Sequence, residues 1–159
     1  MTVVVVLVLL VVAALVAGTV VVRSGKRNYA KANEVVPGTA TRAPAEWAGA
    51  HTPEARLHRR LRDAVEALRA NPAMEDAWML DARVSLEQHA LAVDGRLIAV
   101  AALPERVRDE PLAGVAAAVD AVEVAVASLA VSGSESDRRS GVEQAMIQVE
   151  ERVALLAEG

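Results

Sequence analysis

Cysteine is absent from all 159 residues, which removes disulfides, thiolate metal sites and cysteine nucleophiles at once. Phenylalanine is absent as well, and Tyr29, Trp47 and Trp78 are the only aromatics, so a core has to be assembled from alanine, valine and leucine. Side chains that small favour helices in close approach. Lysine occurs twice against fifteen arginines, a composition like that of a GC-rich bacterial genome. Positive charge is also unevenly spread. Residues 23–52 carry five Lys/Arg and two Glu, a net +3, whereas residues 53–159 carry twelve Arg and nineteen Asp/Glu, a net −7. An acidic distal part argues against nucleic acid as a ligand, because phosphate binding is dominated by clustered positive charge.

What the chain has in abundance is one long apolar run. Residues 2–22 hold no charge, and Arg23, Lys26, Arg27 and Lys31 follow directly. At about 1.5 Å rise per residue the run reaches roughly 30 Å, the thickness of a bilayer's hydrocarbon core. It is too long for the apolar core of a secretory signal and lacks the basic flank that precedes one, although Ala17 offers a small residue at which cleavage is conceivable. The expectation is a single transmembrane anchor over residues 1–22, in contact with the lipid bilayer through residues 2–22. With the basic flank on the cytoplasmic side, the N-terminus lies outside and the remaining chain in the cytoplasm, next to anionic headgroups that the four cations contact.

Residues 23–52 read as a flexible tether: Pro37-Gly38, Pro44, Thr39 and Thr41 interrupt any periodicity. Trp47 suits either the headgroup interface or the end of a helical domain. From residue 53 the pattern is helical. Thr52-Pro53-Glu54 supplies an N-cap, a first-position proline and a first-turn acid, ahead of Leu57, Leu61, Ala64, Val65 and Leu68 at helical spacing. Helices are expected over about 53–70, 72–103, 111–131 and 136–157. The second carries a face of Trp78, Ala82, Leu86, His89 and Val93. Asp94-Gly95 inside it marks a candidate break, or the turn of a short hairpin over 91–100. Ser140-x-x-Glu143 fits a capping box near the start of the last helix. Together these predict an all-α protein: anchor, tether, and an acidic antiparallel four-helix bundle over residues 53–159.

The third helix is unusual. Residues 112–131 contain two charges, Asp120 and Glu123, and opposite the valine stripe of Val115, Val119, Val122, Val126 and Leu129 lies a face of Ala113, Ala117, Ala121, Val124 and Ser128. Two central acids argue against a second membrane span. The small-residue face suits either a buried central helix or an interaction surface for a partner helix.

Residues that carry chemistry are sparse. Glu54 and His58, four apart on one helix, are the weak candidates for metal ligands, without the two histidines of the helical zinc signature. His89 near an apolar stripe suggests a hydrogen-bonded core histidine. No Ser-His-Asp grouping or phosphate loop can be assembled, and no cofactor is expected. Arg56, Arg59, Arg60, Arg62 and Arg69 open a second use for the first helix, lying on an anionic bilayer, against which the need of three further amphipathic helices for a partner counts. The expectation is a non-enzymatic, membrane-anchored interaction protein, an adaptor, scaffold or accessory subunit with a protein partner. An extracytoplasmic sensor or envelope structural protein is the alternative, and a metal-dependent enzyme a remote one.

Overall fold

The computed structural model describes residues 33–71, 77–130 and 134–158. The expected anchor at 2–22 and its cations Arg23, Lys26, Arg27 and Lys31 lie outside the described residues. Among those residues the fold is all-helical, with four α-helices and no strand: α1 (Pro53–Ala70), α2 (Ala77–Ala101), α3 (Asp109–Ala130) and α4 (Glu135–Glu158). Short 3-10 turns occupy Ala45–Ala48 and Glu105–Val107.

Local chemistry accounts for the helix starts. Thr52 caps α1, its hydroxyl accepting from the Ala55 amide at 3.3 Å, and Pro53 takes the first helical position, where no amide proton is needed. Ser134 does the same for α4, accepting from the Asp137 amide. The Ser140/Glu143 pair, expected as a capping box, therefore lies inside the helix. α3 begins at Asp109, two residues before Pro111, which falls in the first turn, where it breaks no intrahelical bond. α2 runs without interruption through Asp94 and Gly95, so the expected break or hairpin does not form. Asp94 is buried, and its partners described below reward the continuous helix.

The buried positions alternate in steps of three and four: Leu57, Leu61, Ala64 and Leu68 on α1; Leu86, Ala90, Val93, Leu97 and Val100 on α2; Val115, Ala118, Val122, Ala125 and Leu129 on α3; Val142, Ala145 and Val149 on α4. That spacing keeps one seam of each helix inward. Alanines at the seam's centre, Ala90, Ala118 and Ala125, let the helices approach closely.

Side-chain ties fix the directions. His58 meets Asp94 and Arg69 meets Glu87, so α1 and α2 run oppositely. Glu54 meets Arg108 just before α3, Arg60 meets Asp120 and Glu123, and Asn71 reaches the Leu129 carbonyl, so α1 and α3 run alike. Arg139 stacks on Trp78 near the starts of α4 and α2. α2 and α3 each touch all three other helices, whereas α1 and α4 do not touch each other. The core is thus a central α2/α3 pair with α1 on one side and α4 on another, and a strip of α3 is left open between them.

Residues 33–52 depart from the expected flexible tether. Val35, Val36 and Trp47 are buried in the same core as α1 and α2, at 1%, 5% and 6% exposure. Pro37-Gly38 is not a chain-loosening break but the centre of a type II turn: Gly38 has φ of +89°, and the Thr39 amide bonds the Val36 carbonyl at 2.9 Å. Trp47 packs in the domain.

Candidate functional site

His58 is fully buried on α1, and both ring nitrogens face acceptors. Nδ1 lies 2.7 Å from Asp94 Oδ1 on α2, and Nε2 lies 3.0 Å from the Asn33 carbonyl. A backbone carbonyl only accepts, so Nε2 is the donor in that bond, and one proton is shared between Nδ1 and the Asp94 carboxyl. Asp94 Oδ2 accepts from the Thr41 hydroxyl at 3.1 Å, and that hydroxyl accepts from the Ala43 amide. Asn33 Nδ2 donates to the Pro44 carbonyl at 2.8 Å. Trp47 closes the node with its ring edge-to-face on the imidazole, centroids 5.4 Å apart. Two helices and the 33–52 segment therefore converge on one buried, hydrogen-bonded pair.

This geometry ties the two helices and the 33–52 segment together. Both imidazole nitrogens are engaged within the domain, and the residue is 0% exposed. Glu54 and His58 do not converge as metal ligands. Glu54 Oε1 binds Arg108 Nη1 at 2.9 Å, away from the His58–Asp94 pair. Burial pushes the Glu54 carboxyl up, but its own backbone amide, Arg108 and Thr52 hold it down further, so the net direction is below the ordinary value. Among the described residues no three His, Asp or Glu side chains cluster as a metal site would require.

The core histidine is thus His58, not His89, which is half-buried with Nδ1 unpartnered among the described residues. Asp94, Asn33 and Thr41 were missed in the sequence. The available signal was a carboxylate 36 positions from His58 at a buried register of α2, and it was masked by the turn-like Asp94-Gly95 pair.

The arginines of α1 are engaged inside the domain rather than free for a bilayer. Arg56 donates to the His51 carbonyl and Arg59 to the carbonyls of Trp47 and Ala50, which fastens the 33–52 segment. Arg60 is held charged by Glu123 and Asp120, against a smaller opposing effect of burial. Arg62 pairs with Asp63, and Arg69 with Glu87. Glu87 in turn is held below the ordinary carboxylate range, first by Arg69 and further by Arg83, with burial opposing.

The expected interaction face on α3 is divided. Ala113 is exposed, Val124 is 60% exposed, and Ala117 is half-buried. Ala121 packs against the core, and the half-buried Ser128 turns its hydroxyl back to the Val124 carbonyl at 2.9 Å. Exposed Ala127 belongs to the open strip and was not foreseen. Asp120 and Glu123 edge it, bound to Arg60. Beside the strip, a groove of about 410 Å3 between α1 and α3 has a floor of Ala64, Ala67, Val126, Ala127 and Ala130. By length and composition α3 is apolar enough to cross a membrane, yet here it touches all three other helices, as α2 does.

No protein-family model, no curated protein and no solved structure matches the chain.

Proposed function

We propose that this chain is a membrane-anchored interaction protein, an adaptor, scaffold or accessory subunit, whose antiparallel four-helix bundle holds a protein partner beside the cytoplasmic face of the membrane. The open strip of α3 carries the reading: Ala113, Ala117, Val124 and Ala127 present small apolar side chains between α1 and α4, which do not meet across it. Such a surface admits a partner helix at short interaxial distance, with Asp120 and Glu123 at its edge to set register. The partner is a helix with small apolar residues on its contact face.

The folded 33–52 segment sharpens the reading. With its first described residue fastened to His58, the stretch between the apolar run and the domain shrinks from thirty residues to the ten of 23–32. Fully extended, ten residues reach about 35 Å. A bound partner is thereby kept within one domain's width of the bilayer, and residues 23–32 include four of the chain's cations.

The test is recovery of partners from native membranes with the full chain and with Val124→Glu, which places a charge in the strip without touching the core. The reading requires a partner that is retained by the native chain and lost with Val124→Glu. Equal recovery by both would remove it. Two C-terminal reporters, one active only in the cytoplasm and one active only outside, test the orientation, and activity of the outside reporter alone would favour the sensor or envelope alternative.

A further inference from the structure

We propose that a second groove, between the end of α2, the start of α3 and the end of α4, binds an amphiphilic monoanion: a carboxylate or phosphate diester carried on a short hydrocarbon chain. The groove encloses about 350 Å3, within the range of small-ligand sites. Arg96 of α2 and Arg152 of α4 line it, with Glu110 of α3 between the helices. Arg96 Nε is shut off from solvent and has no hydrogen-bond partner among the described residues. Neither guanidinium makes an ion pair there, in contrast to Arg60, Arg69, Arg83 and Arg108, each of which meets a carboxylate. A buried charged donor without an acceptor is costly, and an anion seated between the two forks satisfies it. Arg138 Nε is also unpartnered, but it sits at the opposite end of α4 and lines neither groove.

The rest of the lining sets the ligand's shape. Gly114, Ala117, Leu155 and Leu156 form an apolar floor, and Leu155 is 54% exposed without a ligand. Gly114 is in mid-helix at no positive φ, and a Cβ there would meet Leu156 at 3.5 Å, an ordinary contact. Neither backbone conformation nor tight packing demands glycine at this position. What its missing side chain leaves is depth in the groove. Glu110 brings the lining to a net +1, which suits one negative charge better than two. The head therefore lies between Arg96 and Arg152, and the chain lies over Gly114 towards Leu155.

This proposal is independent of the adaptor reading. Its test uses the full chain in phosphatidylcholine nanodiscs, with the arginine Nε–H signals followed by NMR. Hexanoate and ethyl hexyl phosphate, a singly charged diester, are titrated as free anions, hexyltrimethylammonium is the charge control, and nanodiscs containing phosphatidylglycerol, also a singly charged diester, offer the same chemistry from the bilayer. Expected is a saturable displacement of the Arg96 signal by an anion from either source and none by the cation. Arg96→Met with Arg152→Met weakens it at least ten-fold. Gly114→Leu, which keeps every charge, abolishes it while the unfolding temperature stays in place. No saturable response to any of the three anions would overturn the proposal, as would an equal response to the cation or an unchanged affinity in the double variant.

Discussion

The two flanks of the central α2/α3 pair are held by different physics. On the α1 flank, polar ties set the geometry: His58–Asp94 is buried, Arg69 binds Glu87, Arg60 spans Asp120 and Glu123, and Arg59 holds two carbonyls of the 33–52 segment. On the α4 flank the contact is mainly apolar and small, through Val142, Ala145 and Val149. The salt bridge Arg139–Glu135 stays within α4, and Arg139 stacking on Trp78 is a contact of modest strength. Area alone gives adhesion without strong register, whereas directional ties specify a single arrangement and are costly when half removed. The α1 flank is therefore the fixed part of the domain. The α4 flank has fewer directional ties, and the strip of α3 proposed as a partner surface adjoins it.

The largest effect is expected at the node. Asp94→Ala leaves a buried imidazole facing an empty site, and the loss is about 3–5 kcal/mol, the range for breaking one side of a buried pair. It is measured by chemical unfolding of the full chain, with hydrogen exchange showing residues 33–52 released first. A loss under about 1 kcal/mol would mean that the node is decorative.

Leu61→Ala on the α1 flank is expected to cost about 2–5 kcal/mol through lost burial and the cavity left behind. Val149→Ala, at the fully buried point of α4, removes two methyl groups and costs roughly 2 kcal/mol. Hydrogen exchange after each substitution separates the flanks: Leu61→Ala loosens α1 together with residues 33–52, and Val149→Ala loosens α4 alone. Equal loosening of both flanks would contradict their independence.

Acid sharpens the same contrast. Glu87 and Glu54 have folded pKa values held below their unfolded ones, so the folded state binds fewer protons. Their contribution is fully present above the unfolded pKa near 4.5, and it is lost as pH falls through the lower folded value. Glu87→Gln should therefore cost on the order of 1–2 kcal/mol at pH 7 and progressively less below pH 4.5. A native-minus-variant difference in unfolding free energy that stays constant from pH 7 to pH 3 would exclude this linkage.

The smallest effect on stability is expected in the strip. Val124→Asp changes an exposed position and should alter stability within about 0.5 kcal/mol, while abolishing the partner recovery that the proposed function requires.

Helical periodicity and capping chemistry made the helical class legible, because each helix buries one seam and starts at a residue that satisfies its free amides, as Thr52 does. Choice of seam was less legible on α3. The valine stripe read as the core, yet Ala118 and Ala125, outside that stripe, are fully buried while Val126 within it is only half-buried, since close helix approach rewards the smaller side chain. The 33–52 segment was misread because its order comes from contacts at long separation: Thr41 to Asp94 and Asn33 to His58 leave no local periodicity. For the same reason His58 read as half of a metal pair with its neighbour Glu54, when its partner lay 36 residues away. Turn chemistry was visible at Pro37-Gly38, but a turn signal alone does not distinguish a folded loop from a loose one.

Because the chain has no cysteine of its own, single cysteines introduced into the full chain report accessibility without background. The decisive comparison is the thiol-labelling rate of Val35→Cys and Val124→Cys, each measured in purified protein and in native membranes. Slow labelling is expected for Val35→Cys in both settings, with fast labelling for Val124→Cys in purified protein that slows several-fold in native membranes as a partner covers α3. Fast labelling of Val35→Cys would contradict a folded 33–52 segment, and an unchanged rate for Val124→Cys in native membranes would contradict the proposed role of the strip.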